Sequence, residues 1–254
     1  NKTLWLLVGS AVLFAGSTNA AEDARGEGAG IVVPDEHAKL GEVYYVLAAK
    51  APHVTFRSNA KVEKIKGTSL QLAGYVVTPT SAGALPAQLA AGKFVLPVIS
   101  LDTGNASMNE HMQAKRWLDN DGYPVIEFTI TDVTNVKLVR EREDSTIYRA
   151  KLVGTLSLVG QEKEMTVNAR ITLKPESEKT RKIAPGDLMT IRSNFNVVLS
   201  EFGMGINDPG IEAGKIAKKI KIDVNLTLST LRLNRARRVG PGEEEKLSKV
   251  RPAG

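Results

Sequence analysis

The side chains best suited to chemistry gather in residues 109–124, NEHMQAKRWLDNDGYP. Asp119-Asn120-Asp121-Gly122 spaces its oxygens as the start of a calcium loop does. The glycine comes too early, and Ile130 stands where such a loop needs a bidentate Glu, so calcium is not expected. Glu110 beside His111 resembles part of a zinc-binding helix, but no HExxH is formed. The three histidines, His37, His53 and His111, lie far apart in the chain, which leaves little for a metal centre. His53 or His111 with a nearby carboxylate could serve a hydrolase as general base. The plainer reading of His111 is a structural side chain on a short helix.

Other chemistry is excluded more firmly. There is no cysteine, hence no disulfide, no thiolate zinc site and no thiol nucleophile. There is no G-x-S-x-G elbow and no phosphate loop. The lone G-x-G within residues 202–208 follows a strand without opening a clear helix. We expect no catalytic residue, no metal and no cofactor.

The chain has 254 residues and 42% hydrophobic content, enough to bury a sizeable core. Residues 1–20 read as a signal peptide. Lys2 is followed by an apolar run, Leu4 to Ala15, too short to span a bilayer, and small residues lie at Thr18-Asn19-Ala20 before a cut at Ala21. An exported protein without disulfides points to the periplasm first and to secretion second. Residues 21–40 are rich in Gly, Ala and charge and read as a linker. Residues 231–254 read as a flexible basic tail. Arg232, Arg235, Arg237, Arg238, Lys246, Lys249 and Arg251 there supply much of the net charge of +6. Residues 21–230 taken together are close to neutral, so a nucleic-acid-binding patch on the fold is not expected. A weak attraction of the tail to anionic lipid is the sharper reading of that segment.

From Gly41 the pattern has period two. HVTFRS puts Val54 and Phe56 on one face, SLQLAGYVV puts Leu70, Leu72, Gly74 and Val76, and KFVLPVISL puts Phe94, Leu96, Val98 and Ser100. Pro97 suggests an edge or a bulge there. The second half alternates more strictly: Ile126, Phe128 and Ile130; Leu152, Leu156 and Leu158; Val167, Ala169 and Ile171; Ile191, Phe195 and Val197; Ile220, Ile222, Val224 and Leu226. This predicts an all-β fold, an antiparallel up-and-down barrel of about eight strands, because closure removes exposed edges. Such an interior holds side chains or one elongated ligand. Inward Gly74, Ala150, Gly154 and Ala169 would either leave a hollow or allow tight packing.

Residues 107–118 predict one short helix, with Ser107 and Glu110 at capping-box spacing and Gly122 and Pro124 beyond the end. Met108, Met112, Trp117 and Leu118 give it a greasy side, so it is expected to lie across one opening of the barrel as a lid.

Three segments carry a family resemblance. They are ISLDTGNASMNEHMQAKRWLDNDGYPVIEFTITDV, LVGTLSLVGQEKEMTV, and FNVVLSEFGM with a terminal IKIDVNLTL. With PHVTFRSNAKVEKIKGTSLQLAG they are similar to the YceI-like proteins, lipocalin-like exported barrels that bind polyisoprenoid lipids. The likeness runs from about Val43 to Leu228. A second histidine common in the family is missing from Arg57 to Val62, and Trp117-Leu118 replaces its usual aromatic pair.

The resemblance implies non-enzymatic binding, storage or transport of an apolar lipid, a polyisoprenoid or quinone-like chain. Each enclosed methylene contributes about 0.8 kcal/mol, so no catalytic group is needed for tight binding. Candidate wall residues are Val54, Phe56, Leu72, Val76, Phe94, Ile126, Phe128, Leu152, Leu156, Val167 and Phe195; ordinary core packing is the alternative for each. A rival reading is a structural or adaptor protein that docks through the basic tail. The sequence leaves the oligomeric state open.

Overall fold

The computed structural model describes residues 31–48 and 50–230. Ten strands form one antiparallel sheet: β1 (Gly41–Val46), β2 (Val54–Asn59), β3 (Lys64–Ser69), β4 (Ala73–Pro79), β5 (Ala91–Pro97), β6 (Val125–Arg142), β7 (Ser145–Leu158), β8 (Gln161–Lys174), β9 (Leu188–Val198) and β10 (Lys219–Ser229). Among the described residues the α-helices are short: α1 (Asp35–Ala38), α2 (Ala106–Gln113), α3 (Glu178–Arg181) and α4 (Pro209–Glu212).

The sheet closes on itself, because β1 pairs with both β4 and β10. β1 and β2 lie end to end along the same edge of β10. Tyr45 and Val46 oppose Ser229 and Leu228, while Val54 to Ser58 oppose Val224 to Ile220. β3 pairs with β2 as β4 pairs with β1. β1 with β2, and β3 with β4, are therefore the halves of two interrupted strands. Counted so, the barrel has eight strands in up-and-down order, as the alternation predicted.

That alternation is visible in the burial. Tyr148, Ala150, Leu152, Leu156 and Leu158 of β7 are buried, and Val167, Ala169 and Ile171 of β8 match them while Thr166, Asn168 and Arg170 face water. One end of the barrel is filled. Tyr44, Val76, Tyr148, Ile171, Met189 and Leu228 pack there with Ala150 and Ala169.

Pro97 marks neither an edge nor a bulge; it ends β5, and a 3-10 turn (Val98–Ser100) follows. The bulges fall on β6, where register shifts after Ile130, Thr134 and Leu138 and Asn135 adopts a positive φ. The stretch read as a linker up to residue 40 joins the domain from Ile31 onward. Ile31 and Val33 cover the outward face of Tyr75, Val77 and Ala91, and His37 Nδ1 lies 2.6 Å from the Tyr75 hydroxyl. The expected signal peptide, residues 21–30 and the basic tail lie outside the described residues.

The lid helix differs from its expected bounds of 107–118. Asn105, not Ser107, caps it, its Oδ1 accepting from Met108 N at 3.1 Å, and it ends at Gln113. Ala114 is extended, and residues 114–123 continue as tight turns, with Leu118 N donating to Met112 O and Tyr123 N to Asp119 O. The break has a geometric cause. On an unbroken helix the position sharing a face with Met108 and Met112 is Arg116, not Trp117. Leaving the helix at Ala114 rotates Trp117 and Leu118 onto the barrel.

Candidate ligand cavity and its lid

A cavity of about 630 Å³ occupies the barrel end beneath α2. Its size lies in the range usual for small-molecule sites. The walls come from alternate positions of six strands and more. Val54 and Phe56 of β2, Leu72, Phe94 of β5, Ile126 and Phe128 of β6, Leu152 and Leu156 of β7, Val167 of β8 and Phe195 of β9 all border it. Ten of the eleven residues singled out as wall candidates are thus brought to one cavity. Val76 is not. It is fully buried at the filled end, because β4 occupies that half of the barrel and β3 takes its place beside the cavity. Alternation tells which way a side chain points, not how far along the barrel it sits.

Three wall rings share one packing device. The Phe56 ring lies over Gly67 of the neighbouring strand, Phe94 over Gly74, and Phe128 over Gly154. A Cβ at Gly154 would stand 2.6 Å from Phe128 Cζ. Gly74 and Gly154 therefore permit tight packing of rings, and the hollow lies on the rings' other side. Ala150 and Ala169 belong to the filled end.

Sequence reasoning missed part of the lining. Leu96, Ile191, Val197, Ile220, Ile222, Val224 and Leu226, which period two placed on the dry faces but which were not among the wall candidates, also border the cavity, as does Ile65. Leu101, Leu199, Met204 and Ile216 lie in connections, where no period announces them.

The roof is the lid segment. Met108, Met112, Trp117 and Leu118 all border the cavity, and Trp117 is only 8% exposed. It packs with Leu156, Leu158, Phe202 and Met204. Its indole Nε1 donates to His111 Nε2 at 3.1 Å. The first turn of α2 is anchored to the barrel. Asn109 Oδ1 accepts from Thr103 N at 2.8 Å, and Asn109 Nδ2 donates to Asp102 Oδ1 at 2.8 Å. Asp102 in turn exchanges two backbone hydrogen bonds with Thr68 of β3. These hydrogen bonds from Asn109 and Gly104 hold the Asp102 carboxyl below the usual carboxylate range.

Polar groups stand at the rim. Arg116 Nη2 and Asp208 Oδ2 pair at 2.8 Å, joining the lid segment to the β9–β10 connection on the facing lip. The other Asp208 oxygen caps α4, accepting from Gly210 N at 2.8 Å and Ile211 N at 3.2 Å. Glu63, His111 and Lys215 complete the rim.

Neither histidine considered as a general base is hydrogen-bonded to a carboxylate. His111 is engaged by Trp117. His53 is 2% exposed and does not border the cavity; among the described residues neither ring nitrogen makes a hydrogen bond of normal geometry, though the Leu47 backbone lies near enough to favour the protonated ring. Burial pushes its imidazole below the ordinary histidine range. Among the described residues no group of three His, Cys, Asp or Glu is placed to hold a metal ion.

Solved structures share this fold. BcnA of Burkholderia cenocepacia superposes with a TM-score of 0.54 at 19% identity, covering 72% of this chain and 98% of its own. A polyisoprenoid binding domain from Saccharophagus degradans, implicated in plant cell wall breakdown, gives 0.52 at 14% identity, covering 74% and 98%. The YCEI protein of Campylobacter jejuni gives 0.50 at 15% identity, covering 66% and 85%. Among curated proteins none matches the chain. In sequence, residues 45–228 match the YceI-like domain, a span that holds the whole barrel except the start of β1 and the last residue of β10; the chain belongs to the YceI-like domain family.

Proposed function

We propose that the protein binds a single elongated apolar lipid inside the barrel, a polyisoprenoid or quinone-like chain, and stores or carries it in the periplasm without chemical change. The observation that carries this reading is the 630 Å³ cavity, whose walls are apolar and whose polar groups stand only at the rim and a few wall positions. An enclosed methylene contributes about 0.8 kcal/mol, so an enclosed five-carbon unit contributes roughly 4 kcal/mol before ordering costs. Polar recognition is needed only at the mouth, where the ligand's head would meet Arg116, Asp208 and their neighbours. The structural likeness to a domain named for polyisoprenoid binding supports the same choice.

The test is extraction. Protein purified without detergent is extracted with organic solvent and the extract read by mass spectrometry; an isoprenoid in near-stoichiometric amount is expected. In a form lacking residues 1–20, Trp117 is the sole tryptophan, so its emission reports ligand entering beneath the lid. No recovered lipid, together with Trp117 emission indifferent to isoprenoids of every chain length, would overturn the proposal.

A further inference from the structure

Residues 41–230 carry 24 Lys and Arg against 20 Asp and Glu, and the basic excess is unevenly placed. Lys66, Arg57 and Lys221 are direct cross-strand neighbours on β3, β2 and β10, all on the outer face. Like charges placed opposite each other destabilise a sheet. Only Asp223 relieves this row; it pairs with Arg57 and lies 3.9 Å from Lys221 Nζ. Lys64 extends the row along β3, and Lys219 extends it along β10, both exposed. The hairpin tip adds Lys61, and the segment entering β10 adds Lys215 and Lys218, again exposed. Against them the same segments carry Glu63, Asp208 and Glu212 besides Asp223, with Asp208 already paired to Arg116.

This basic strip adjoins the cavity mouth. Ser58, Glu63 and Ile65 of the β2–β3 hairpin border the cavity from their inner side, as does Lys215. At the hairpin tip, Val62 is 67% exposed, and across the β9–β10 connection Ile206 is 63% exposed. The outward residues of the strip include no aromatic ring, so it lacks the stacking platforms that single-stranded nucleic acid uses. Exposed aliphatics set among lysines fit a lipid surface, where each cation near anionic headgroups contributes to attraction.

We infer that this strip docks the open end of the barrel onto an anionic bilayer, with the Val62 tip at the headgroup boundary. The outward cations Arg57, Lys64, Lys66 and Lys221 do not border the cavity, but the purpose of the surface, passing a lipid between bilayer and barrel, rests on the function proposed above.

The experiment is vesicle flotation with the full chain at low salt, comparing phosphatidylcholine vesicles with vesicles also containing phosphatidylglycerol. Binding to the anionic vesicles alone, released by high salt, is expected. The triple variant Lys64→Gln, Lys66→Gln, Lys221→Gln should bind about a hundredfold more weakly, at roughly fivefold per lysine. A variant neutralised in the tail, Arg235→Gln, Arg237→Gln, Arg238→Gln, should retain most binding. The chain has no cysteine, so a polarity-sensitive dye on Val62→Cys or on Leu138→Cys, at the far end of β6, reports orientation. The Val62 dye should shift to the blue on anionic vesicles and the Leu138 dye should not. Equal binding by the strip variant, binding lost with the tail instead, or a shift at Leu138 alone would each overturn the inference, as would absence of binding. Lipid extraction decides the cavity separately: a strip variant that still yields bound isoprenoid tests docking without touching the storage site.

Discussion

The wall of the cavity is set by phenyl rings resting on glycines, and Gly154→Ala tests that directly. The added methyl would lie 2.6 Å from Phe128 Cζ and 3.0 Å from Cε2, where ordinary contact begins at 3.4 Å. The ring must therefore retreat by roughly 0.8 Å, and its free side is the cavity. Overpacking of this kind costs about 1–3 kcal/mol. For a domain of this size that lowers Tm by roughly 2–12 °C. Each methylene of ligand displaced should weaken binding about fourfold. The methyl also meets the Thr129 carbonyl oxygen, a cost unrelated to the ring. Phe128→Ala removes the ring and leaves that carbonyl, so the double variant isolates the ring's share. Urea unfolding of the four proteins should show a coupling of about 1 kcal/mol or more, the methyl being better tolerated once the ring is gone. Costs that add to within about 0.5 kcal/mol would refute the packing argument. So would a Gly154→Ala protein whose preferred isoprenoid length is unchanged.

Removing the Asn105 cap with Asn105→Ala should cost the α2 segment about 0.5–2 kcal/mol. Because Asn109 still anchors the turn, the effect should appear as faster ligand release and faster exchange of the Met108 amide, with little change in global Tm; unchanged release would show that α2 lies off the exit path. His53 governs an acid effect. Its folded pKa is lowered, so above the unfolded value near 6.5 both states are neutral and it contributes nothing. As pH falls through 6.5 the unfolded chain takes up the proton first, and stability declines until the folded pKa is reached. His53→Leu removes that proton uptake, so its urea midpoint should fall less between pH 7 and pH 5 than that of the parent. Parallel declines would show that His53 is not the titrating group.

The barrel was legible because each long strand buries one face and wets the other, so Leu152, Leu156 and Val167 announce their direction. Height along the barrel was not legible, and Val76 shows why: its pattern is that of Leu72, four residues earlier, yet one borders the hollow and the other fills the closed end. The interruption after Val46 that separates those levels has no periodic signature. The helix over the cavity was legible, but its cap is Asn105 rather than Ser107, and its true length depended on Trp117 reaching the cavity, a tertiary demand that outweighed the local preference to continue past Ala114. The charge row across β3, β2 and β10 was invisible for a related reason. Lys66, Arg57 and Lys221 are spread through the sequence, and only register makes them neighbours.

Why one end is hollow and the other filled follows from side-chain length. At the closed end Tyr44, Tyr148 and Met189 reach toward the barrel axis and meet Ile171 and Leu228 there. Around the cavity the strands instead present many β-branched side chains, among them Val54, Ile126, Val167, Ile191, Ile220, Ile222 and Val224. These branch at Cβ, stay close to their own strand and stop short of the axis. Three of the four phenyl rings at the wall, Phe56, Phe94 and Phe128, are instead laid against glycines on the adjoining strands. Eight strands leave an interior that ordinary side chains can just fill. Short branched residues and retracted rings therefore suffice to keep it open, with no widening of the barrel, and the lid residues Met108, Met112 and Trp117 supply from above the apolar cover that the walls withhold.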